Sequence, residues 1–163
     1  MKKILTQLFL ALAFFTSNAQ QINFVEYDLE NGLHVILHQD NSAPVVSATL
    51  QFHVGSKDED DGLKGFAHLF EHMLGKETKN MDSGQWGKIY SARGGSGNAS
   101  TSVDLTNYYV TVPSNSLKLA LWRYSEIMLH PIIEQETIDI QREAVKEEKR
   151  LRYNQPYDPR FYE

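Results

Sequence analysis

Three segments near the start of the chain alternate between apolar and polar residues, a pattern typical of half-buried strands. The alternation runs from Phe24 to Leu29 and again from Leu33 to His38, on either side of Asn31-Gly32. Asn-Gly favours the positive φ angles of a tight hairpin turn, so the two segments predict a β-hairpin. From Val46 to Val54 every second side chain is apolar, which predicts a third strand that ends at Gly55.

Helical spacing begins beyond this strand. The segment from Gly65 to Leu74 has no helix breakers and predicts a helix. A second short helix carries Trp86 and Tyr90, with Asp82 and Ser83 as candidate caps. The glycine run that starts at residue 94 ends it.

The second half of the chain again gives strands and then helices. Residues from Asn98 to Val112 are rich in Thr, Val and Tyr and predict two strands or one bent strand, stopped by Pro113. Apolar residues then recur at helical spacing from Ser114, a candidate cap, to His130, and a last helix is expected from about Glu134 to Arg152. Together these elements predict an α+β fold, a mainly antiparallel sheet with helices packed on one face.

The first 19 residues resemble a signal peptide. Lys2 and Lys3 precede an apolar run from Ile4 to Phe15, and small or polar residues follow up to Ala19. A run of 12 residues is too short to span ~30 Å of hydrocarbon, so cleavage is favoured over an uncleaved anchor or an amphipathic helix. We therefore expect an exported protein, periplasmic or extracellular, whose mature domain covers residues 20–163. No later segment approaches the ~18 apolar residues of a stable membrane span.

The amino-acid composition limits the kinds of site that the chain can form. The chain of 163 residues contains no cysteine and has a formal net charge of -5, which becomes -7 without residues 1–19 because 14 basic and 21 acidic residues remain. The lack of thiols excludes disulfide frameworks, cysteine zinc sites and cysteine nucleophiles, so any metal must be held by His and carboxylates. The basic residues Lys146, Lys149 and Arg150 are interleaved with acidic ones, so no nucleic-acid partner is expected.

The candidate chemistry lies in the first predicted helix, in the segment His68-Leu69-Phe70-Glu71-His72. Two His four residues apart lie one above the other on a helix face, so both imidazoles can reach one ion at Zn–N distances of about 2.0 Å. Glu71, at the edge of that face, can approach a coordinated water without being a ligand. Zinc lowers the pKa of such a water to about 7, and a nearby carboxylate can remove its proton, which makes a nucleophile for an amide carbonyl. Two surface His beside a solvated Glu are the alternative, but the apolar neighbours of the motif place it on a packed helix.

The remaining histidines have ordinary explanations. His34 and His38 are also four residues apart, but in a strand this spacing separates the side chains by about 13 Å. His53 lies on the polar face of its strand, and His130 lies at a helix C-terminus, where a cation interacts well with the helix dipole.

The glycine run does not match two motifs that it superficially resembles. Asn98 stands where a serine-hydrolase elbow needs its last glycine, and Ser100 stands where a dinucleotide-binding loop needs one. Neither serine-hydrolase chemistry nor phosphate binding is therefore predicted.

Three segments, in this order, resemble those of the M16 metallopeptidases, the pitrilysin and insulinase group. The segment from Gly65 to Leu74 is similar to the family's inverted zinc motif. The segment from Gly94 to Thr101, followed by Thr106 and Tyr108, is similar to its second signature, and the segment from Arg142 to Glu148 is similar to its third. The resemblance covers nearly all of the chain beyond residue 23.

The resemblance implies a zinc site that is completed by a Glu of the last helix, for which Glu147 and Glu148 compete. Both lie on plausible helical stripes, so periodicity does not decide, and the family spacing favours Glu148. Glu71 is then the base, and the fourth zinc position is open for water. For Glu148 alone, an exposed ion pair with Arg152 is the alternative. The implied zinc ligands are His68, His72 and Glu148.

The resemblance also implies how a substrate is held. The family binds peptides as an added strand along a sheet edge, and the matching residues here are Asn98, Ala99, Ser100 and Thr101. Such binding uses main-chain hydrogen bonds and hence tolerates many sequences. A plain edge strand is the alternative.

The chain departs from the family pattern in three residues and in length. Gln141 stands where many members carry a Glu that supports the ligands, which bears on the tuning of the site rather than on its ligand set. Gly75 and Glu77 replace the residues that usually follow the motif. Family members have two related halves that close around the substrate, each longer than this chain. A second half, in the same or another chain, is therefore an expected partner.

These observations predict a zinc metalloendopeptidase that hydrolyses extended or unfolded peptides. The alternative is a non-catalytic binding or assembly subunit, since some family members have kept the fold and lost the chemistry. The intact ligands argue against that alternative. A third possibility is that the chain binds zinc but cannot turn over substrate without the second half.

Overall fold

A computed structural model describes residues 22–153, which contain five strands and four α-helices. The strands are β1 (Phe24–Asp28), β2 (His34–His38), β3 (Val45–Phe52), β4 (Ser96–Thr101) and β5 (Thr106–Pro113). The helices are α1 (Phe66–Leu74), α2 (Gln85–Ala92), α3 (Leu117–Leu129) and α4 (Gln135–Tyr153), and none in this part of the chain is long and apolar enough to cross a membrane. The predicted signal peptide, residues 1–19, lies outside the described residues.

The chain divides into two compact units, and the first contains the predicted β-hairpin. Strands β1 and β2 pair antiparallel over their whole length, which confirms the hairpin. Its turn differs from the prediction, because Gly32 has a positive φ of 83° and Asn31 does not. Hydrogen bonds from the Gly32 amide to Leu29 and from the Leu29 amide to Leu33 close a loop of three residues with glycine in its left-handed position.

The second unit, from Pro44 onward, is built on an antiparallel sheet with the strand order β3-β5-β4. Along the central strand β5, Tyr108, Val110 and Val112 are buried, whereas Tyr109 and Thr111 on the opposite face are exposed. Strand β3 alternates in the same way, as its sequence predicts. The strands between residues 22 and 153 therefore lie in two antiparallel sheets, one in each unit.

The helices of the second unit cover the buried face of its sheet. Helix α3 packs on β3 and β5, α1 packs on β4 and β5, and α2 packs on β4. The helices contribute to the core the side chains of Trp86, Tyr90, Ala120, Tyr124 and Ile127. The Tyr124 hydroxyl lies 2.6 Å from the carbonyl oxygen of Ala48 and 2.9 Å from that of Tyr108, which ties α3 to two neighbouring strands. The α+β fold with helices on one face of the sheet is thus confirmed.

The predicted side-chain caps of two helices are wrong. Helix α2 begins after Gly84, at φ 77°, and no side chain caps its first turn. Ser114 belongs to a short 3₁₀ turn, residues 114–116, and α3 begins after this turn. Glycine reaches the left-handed conformation without steric cost, so at α2 the backbone sets the start of the helix where the sequence predicted a capping side chain.

Close packing of backbones explains the glycines before and within β4. A Cβ at Gly95 would lie 2.7 Å from Cγ1 of Val112, and one at Gly97 would lie 2.8 Å from the carbonyl oxygen of Tyr109. Both distances are shorter than any ordinary carbon contact, so β4 can approach β5 at these points only with glycine. The close approach of the two strands therefore requires glycine at positions 95 and 97.

Candidate metal centre

Helix α1 carries the His68 to His72 segment, and an acidic side chain from the preceding loop fixes its first turn. Gly65, at φ 92°, precedes the helix. The Glu59 carboxylate accepts hydrogen bonds from the amides of Gly65 and Ala67, both at 2.8 Å. A carboxylate at this place satisfies free amides and interacts favourably with the helix dipole. Sequence patterns do not predict the contact, because Glu59 lies outside the usual capping position.

The two histidines of α1 direct the same ring atom toward one point. Their Nε2 atoms lie 3.3 Å apart, and the rings meet edge-on with centroids 4.8 Å apart. Their side chains are 27% and 19% exposed, so the point that they share is within reach of solvent. Two imidazole nitrogens at this distance need a proton or a cation between them, because their lone pairs otherwise repel.

Helix α4 packs on α1 and brings Glu148 to the histidine pair. Its carboxylate oxygens lie 3.6 Å from Nε2 of His68 and 3.5 Å from Nε2 of His72. The neighbouring Glu147 instead accepts a hydrogen bond from the guanidinium of Arg150, at 2.9 Å. Of the two candidates that helical spacing left open, Glu148 is therefore the one that faces the histidines. Arg152, the other partner considered for Glu148, has a side chain outside those that the structure describes.

The three side chains fit the geometry of a zinc site. A tetrahedral ion with ligand distances of about 2.0–2.1 Å has neighbouring ligands roughly 3.3–3.4 Å apart. The separations found here are 3.3, 3.5 and 3.6 Å, and one donor atom of each residue lies within 4.8 Å of the others. Two imidazoles and one carboxylate are also a ligand set that zinc prefers.

Gln141 supports His72 from behind. It lies on α4 two turns before Glu148, is buried, and has its Oε1 3.4 Å from Nδ1 of His72. An amide oxygen can only accept, so in this contact Nδ1 carries the proton and Nε2 keeps its lone pair for a cation. The residue that the sequence marks as a departure from the family pattern therefore lies directly behind His72, a candidate ligand.

Glu71 lies between the two histidines in the sequence. Its carboxylate is buried and contacts strand β4. Its Oε2 accepts a hydrogen bond from the hydroxyl of Thr101 at 2.5 Å. Its main-chain carbonyl accepts a second bond, from the hydroxyl of Tyr108 at 3.0 Å. Burial and then the Glu71 charge raise the pKa of Tyr108 above its usual value, so this hydroxyl stays protonated and remains a donor.

Glu71 also contributes to the wall of a pocket of about 350 Å³. The pocket lies between α1, the end of β3 and the loop that follows β3. Most of its lining is aromatic or aliphatic, with Phe52, Phe66, Phe70, Leu74 and Tyr108 as the large side chains. These surroundings offer Glu71 little water, so its carboxylate depends on hydrogen bonds from the protein.

The four residues predicted to hold a substrate form the second part of β4. In the described sheet β4 is an edge strand, paired with β5 on one side. Asn98 and Ser100 are exposed, whereas Ala99 and Thr101 are half-buried toward the helices. The Asn98 Oδ1 accepts a hydrogen bond from the amide of Ala99 at 2.9 Å. The structure thus places Thr101 next to Glu71 and leaves Asn98 on the surface.

The other histidines that the described chain contains lie in ordinary surroundings. His34 contacts Asp28 at 2.7 Å across the hairpin, and His38 contacts the carbonyl oxygen of Asn23 at 2.6 Å. His53 contacts the ammonium of Lys57 at 3.2 Å. None of these pairs belongs to a group of three or more possible ligands within the described residues.

Comparisons with protein families and with curated proteins show which proteins the chain resembles. The model of the family described as Insulinase (Peptidase family M16) matches residues 34–158. The zinc protease PqqE of Helicobacter pylori is 35% identical over 125 residues, which are 76% of this chain and 28% of that protein. The insulin-degrading enzyme of Homo sapiens is 34% identical over 122 residues, which are 74% of this chain and 12% of the enzyme.

Solved structures show the same likeness. A protease from Helicobacter pylori matches with a TM-score of 0.77 and 32% identity, over 81% of this chain and 32% of that one. Pitrilysin matches with a TM-score of 0.74 and 27% identity, over 83% of this chain and 15% of that one. The chain spans less than a third of the length of each of these proteins.

Proposed function

Because the chain belongs to the insulinase family of peptidases, M16, we propose that it is the zinc-binding part of a metalloendopeptidase that hydrolyses extended or unfolded peptides. The observation that carries the proposal is the convergence of two imidazole nitrogens and one carboxylate within 4.8 Å, on helices that pack together. Relatives named as zinc proteases support the choice of metal.

His68, His72 and Glu148 would hold one zinc ion, and three protein ligands leave the fourth tetrahedral position open. When bound, zinc acts as a Lewis acid and lowers the pKa of water to about 7. Gln141 keeps His72 in the tautomer that presents Nε2 to the site.

Glu71 is the proposed general base. Thr101 donates a hydrogen bond to its Oε2, which leaves the other carboxylate oxygen to accept a proton. Glu71 takes a proton from the attacking water while the water oxygen bonds to the peptide carbonyl carbon. It then gives this proton to the departing amine nitrogen as the C–N bond breaks, and so returns to the ionised state.

The peptide would add to the free edge of β4 along Asn98, Ala99, Ser100 and Thr101. In the described sheet this edge faces away from β5, so its main-chain groups are open to an added strand. The side chain of Asn98 occupies the amide of Ala99, and a docking peptide would displace it. A second M16-type half, in the same or another chain, would close over the peptide.

Hydrolysis of an internally quenched, unstructured peptide tests this proposal. The zinc-loaded chain is expected to cleave the peptide, alone or after addition of a second M16-type half, and a chelator is expected to stop it. The matched control is Glu71→Gln, which keeps the zinc ligands and should slow cleavage by about 100-fold or more through loss of the base. A zinc-loaded chain that cleaves no faster than this control would overturn the proposal and favour a non-catalytic binding subunit.

A further inference from the structure

We propose that Thr101 is a positioning residue, whose hydroxyl ties the general base Glu71 to the strand on which the peptide docks. A role of this contact in catalysis rests on the proposed function, whereas the contact itself is a feature of the structure. The inference gives the side chain of Thr101 a role of its own, separate from main-chain docking along β4.

The contact between the two side chains has the features of a strong hydrogen bond. The Oγ1 to Oε2 distance is 2.5 Å, which is typical of a hydroxyl that donates to an ionised carboxylate. Glu71 is only 9% exposed and lines an apolar pocket. A carboxylate with so little water depends on its protein donor, so the hydroxyl of Thr101 largely decides where Oε2 lies.

A second threonine lies beside Thr101 but is the weaker acceptor for its proton. Thr101 and Thr106 are cross-strand partners, and their hydroxyl oxygens are 3.3 Å apart. The buried hydroxyl of Thr106 donates its one proton to the carbonyl oxygen of Val54, at 3.0 Å. The Thr106 oxygen can therefore only accept in its contact with Thr101, and the nearer, charged Glu71 carboxylate is the stronger acceptor of the Thr101 proton. The branched Cβ of Thr101 also restricts the side chain to few rotamers.

The end of β4 that carries Thr101 is anchored to the main chain of a neighbouring loop. The amide of Ser56 donates to the carbonyl of Ser102 at 3.1 Å, and that of Lys57 donates to Val103 at 3.0 Å. The ammonium of Lys57 also pairs with Asp104 at 2.6 Å. The hydroxyl that holds Glu71 thus projects from a fixed backbone.

In this arrangement strand β4 positions both the base and the substrate. A peptide added to β4 is positioned by the strand's main chain, and Glu71 is positioned by a side chain of the same strand. Small errors in the placement of reacting groups lower the rate by large factors. Because β4 positions both groups, the distance between the proton acceptor and the bond to be cleaved varies little.

The decisive test does not require turnover. In the zinc-free full chain, urea midpoints are measured for Thr101→Val, Glu71→Ala and the double variant. The proposal predicts that Thr101→Val lowers the midpoint in the unmutated background and lowers it much less when Glu71 is already Ala. Additive shifts would overturn the proposal, because they would mean that the two side chains are not coupled. Thr49→Val, on the exposed face of β3, is the matched control and should give additive shifts.

Kinetic measurements then test whether the hydrogen bond between Thr101 and Glu71 contributes to catalysis. In the zinc-loaded chain, Thr101→Val should lower kcat by roughly 10- to 100-fold, with KM and zinc content unchanged. Thr101→Ser keeps the hydroxyl and should restore most of the rate. An equal loss in the Ser and Val variants would overturn the positioning role. If the unmutated chain is inert both alone and with a second M16-type half, the proposed function fails, and the coupling measurement still decides whether the two side chains are joined.

Discussion

The amide of Gln141 decides which nitrogen of His72 faces the candidate metal centre. It is buried between α1 and α4, and its Oε1 lies 3.4 Å from Nδ1 of the ring. A residue that holds a ligand in this way commonly changes metal affinity without touching the metal.

We predict that Gln141→Leu weakens zinc binding by about 10- to 100-fold, because leucine fills the space but leaves Nδ1 of His72 without an acceptor. Gln141→Glu keeps an acceptor at this place and should bind zinc at least as tightly as the unmutated chain. Competition with a chromogenic chelator measures both constants. Gln135→Leu, on the exposed first turn of the same helix, is the control and should leave the affinity unchanged. Equal affinities for Gln141→Leu and this control would contradict the role of the amide.

Single residues could be predicted from the sequence where the relevant geometry is local. His68 and His72 share a helix face by spacing alone, and Glu71 follows from the same turn. The choice between Glu147 and Glu148 could not be made in this way, because it depends on how α4 packs on α1. The hydrogen bond from Thr101 to Glu71 was out of reach for the same reason, since it joins a helix to a strand 30 residues later.

At the scale of elements, the β4–β5 hairpin depends on a glycine outside it. A Cβ on Gly55 would overlap the main-chain carbonyl groups of Ser102 and Val103 in the hairpin loop. The backbone of this loop has little freedom to move, because the amides of Ser56 and Lys57 are bonded to the same carbonyls.

Gly55→Ala is therefore expected to lower the free energy of unfolding by about 1–3 kcal/mol, the usual cost of an added methyl group in a packed site. Urea denaturation measures the change. Gly62→Ala is the matched control in the loop that follows β3, since nothing lies within 4 Å of a Cβ at that position. A Gly55→Ala midpoint equal to that of the control would show that the close approach is absent in solution.

A buried carboxylate links α3 to the loop between α1 and α2. Glu126 is 4% exposed, and its Oε1 accepts a hydrogen bond from the Asn80 side chain at 2.9 Å. Burial opposes ionisation of Glu126, but the bond from Asn80 and the neighbouring polar groups outweigh it and lower the pKa of the carboxyl below its usual 4.5.

This lowered pKa predicts a dependence of stability on acid. The contribution of Glu126 is fully present above the unfolded pKa of about 4.5 and is lost as the pH falls through the lower folded value. Thermal unfolding between about pH 3 and pH 6 should therefore show a difference between the unmutated chain and Glu126→Gln that shrinks with acid. A difference that stays constant over this range would contradict the assignment.

The strands and helices could be predicted from periodicity, but the residues at which they begin and end could be predicted less well. Strands β3 and β5 alternate cleanly because one face of the sheet is covered by helices. The start of α2 was missed because Gly84 sets it through the backbone, and the Glu59 bonds that fix the start of α1 come from a loop with no periodic pattern.

At the scale of the whole molecule, many large apolar side chains of the second unit are exposed. Examples are Leu121, Leu129 and Ile140, each more than half exposed on helices α3 and α4. The chain spans less than a third of the length of the relatives that it matches, so most of each relative lies outside the matched region. The fold class could be predicted from the sequence, but the exposure of these side chains could not, because it depends on how the helices pack.

Export is a prediction from the sequence that concerns the complete protein. Expressed from Met1 in a bacterium, the protein is expected outside the cytoplasm with Gln20 as its first residue, because residues 1–19 have the charge and length of a signal peptide. Cell fractionation and N-terminal mass spectrometry check this. A matched chain that starts with Met followed by Gln20 should stay in the cytoplasm. Exported protein that retains residues 1–19 would contradict cleavage.

We predict that His68, His72 and Glu148 together hold one zinc ion, and the metal content of the purified chain decides whether they do. After removal of loosely bound metal, elemental analysis should find one zinc per unmutated chain. Glu148→Gln should lose the ion, and Glu147→Gln, which changes the adjacent residue paired with Arg150, should keep it. A folded chain without zinc, or the same loss in both variants, would contradict this ligand set.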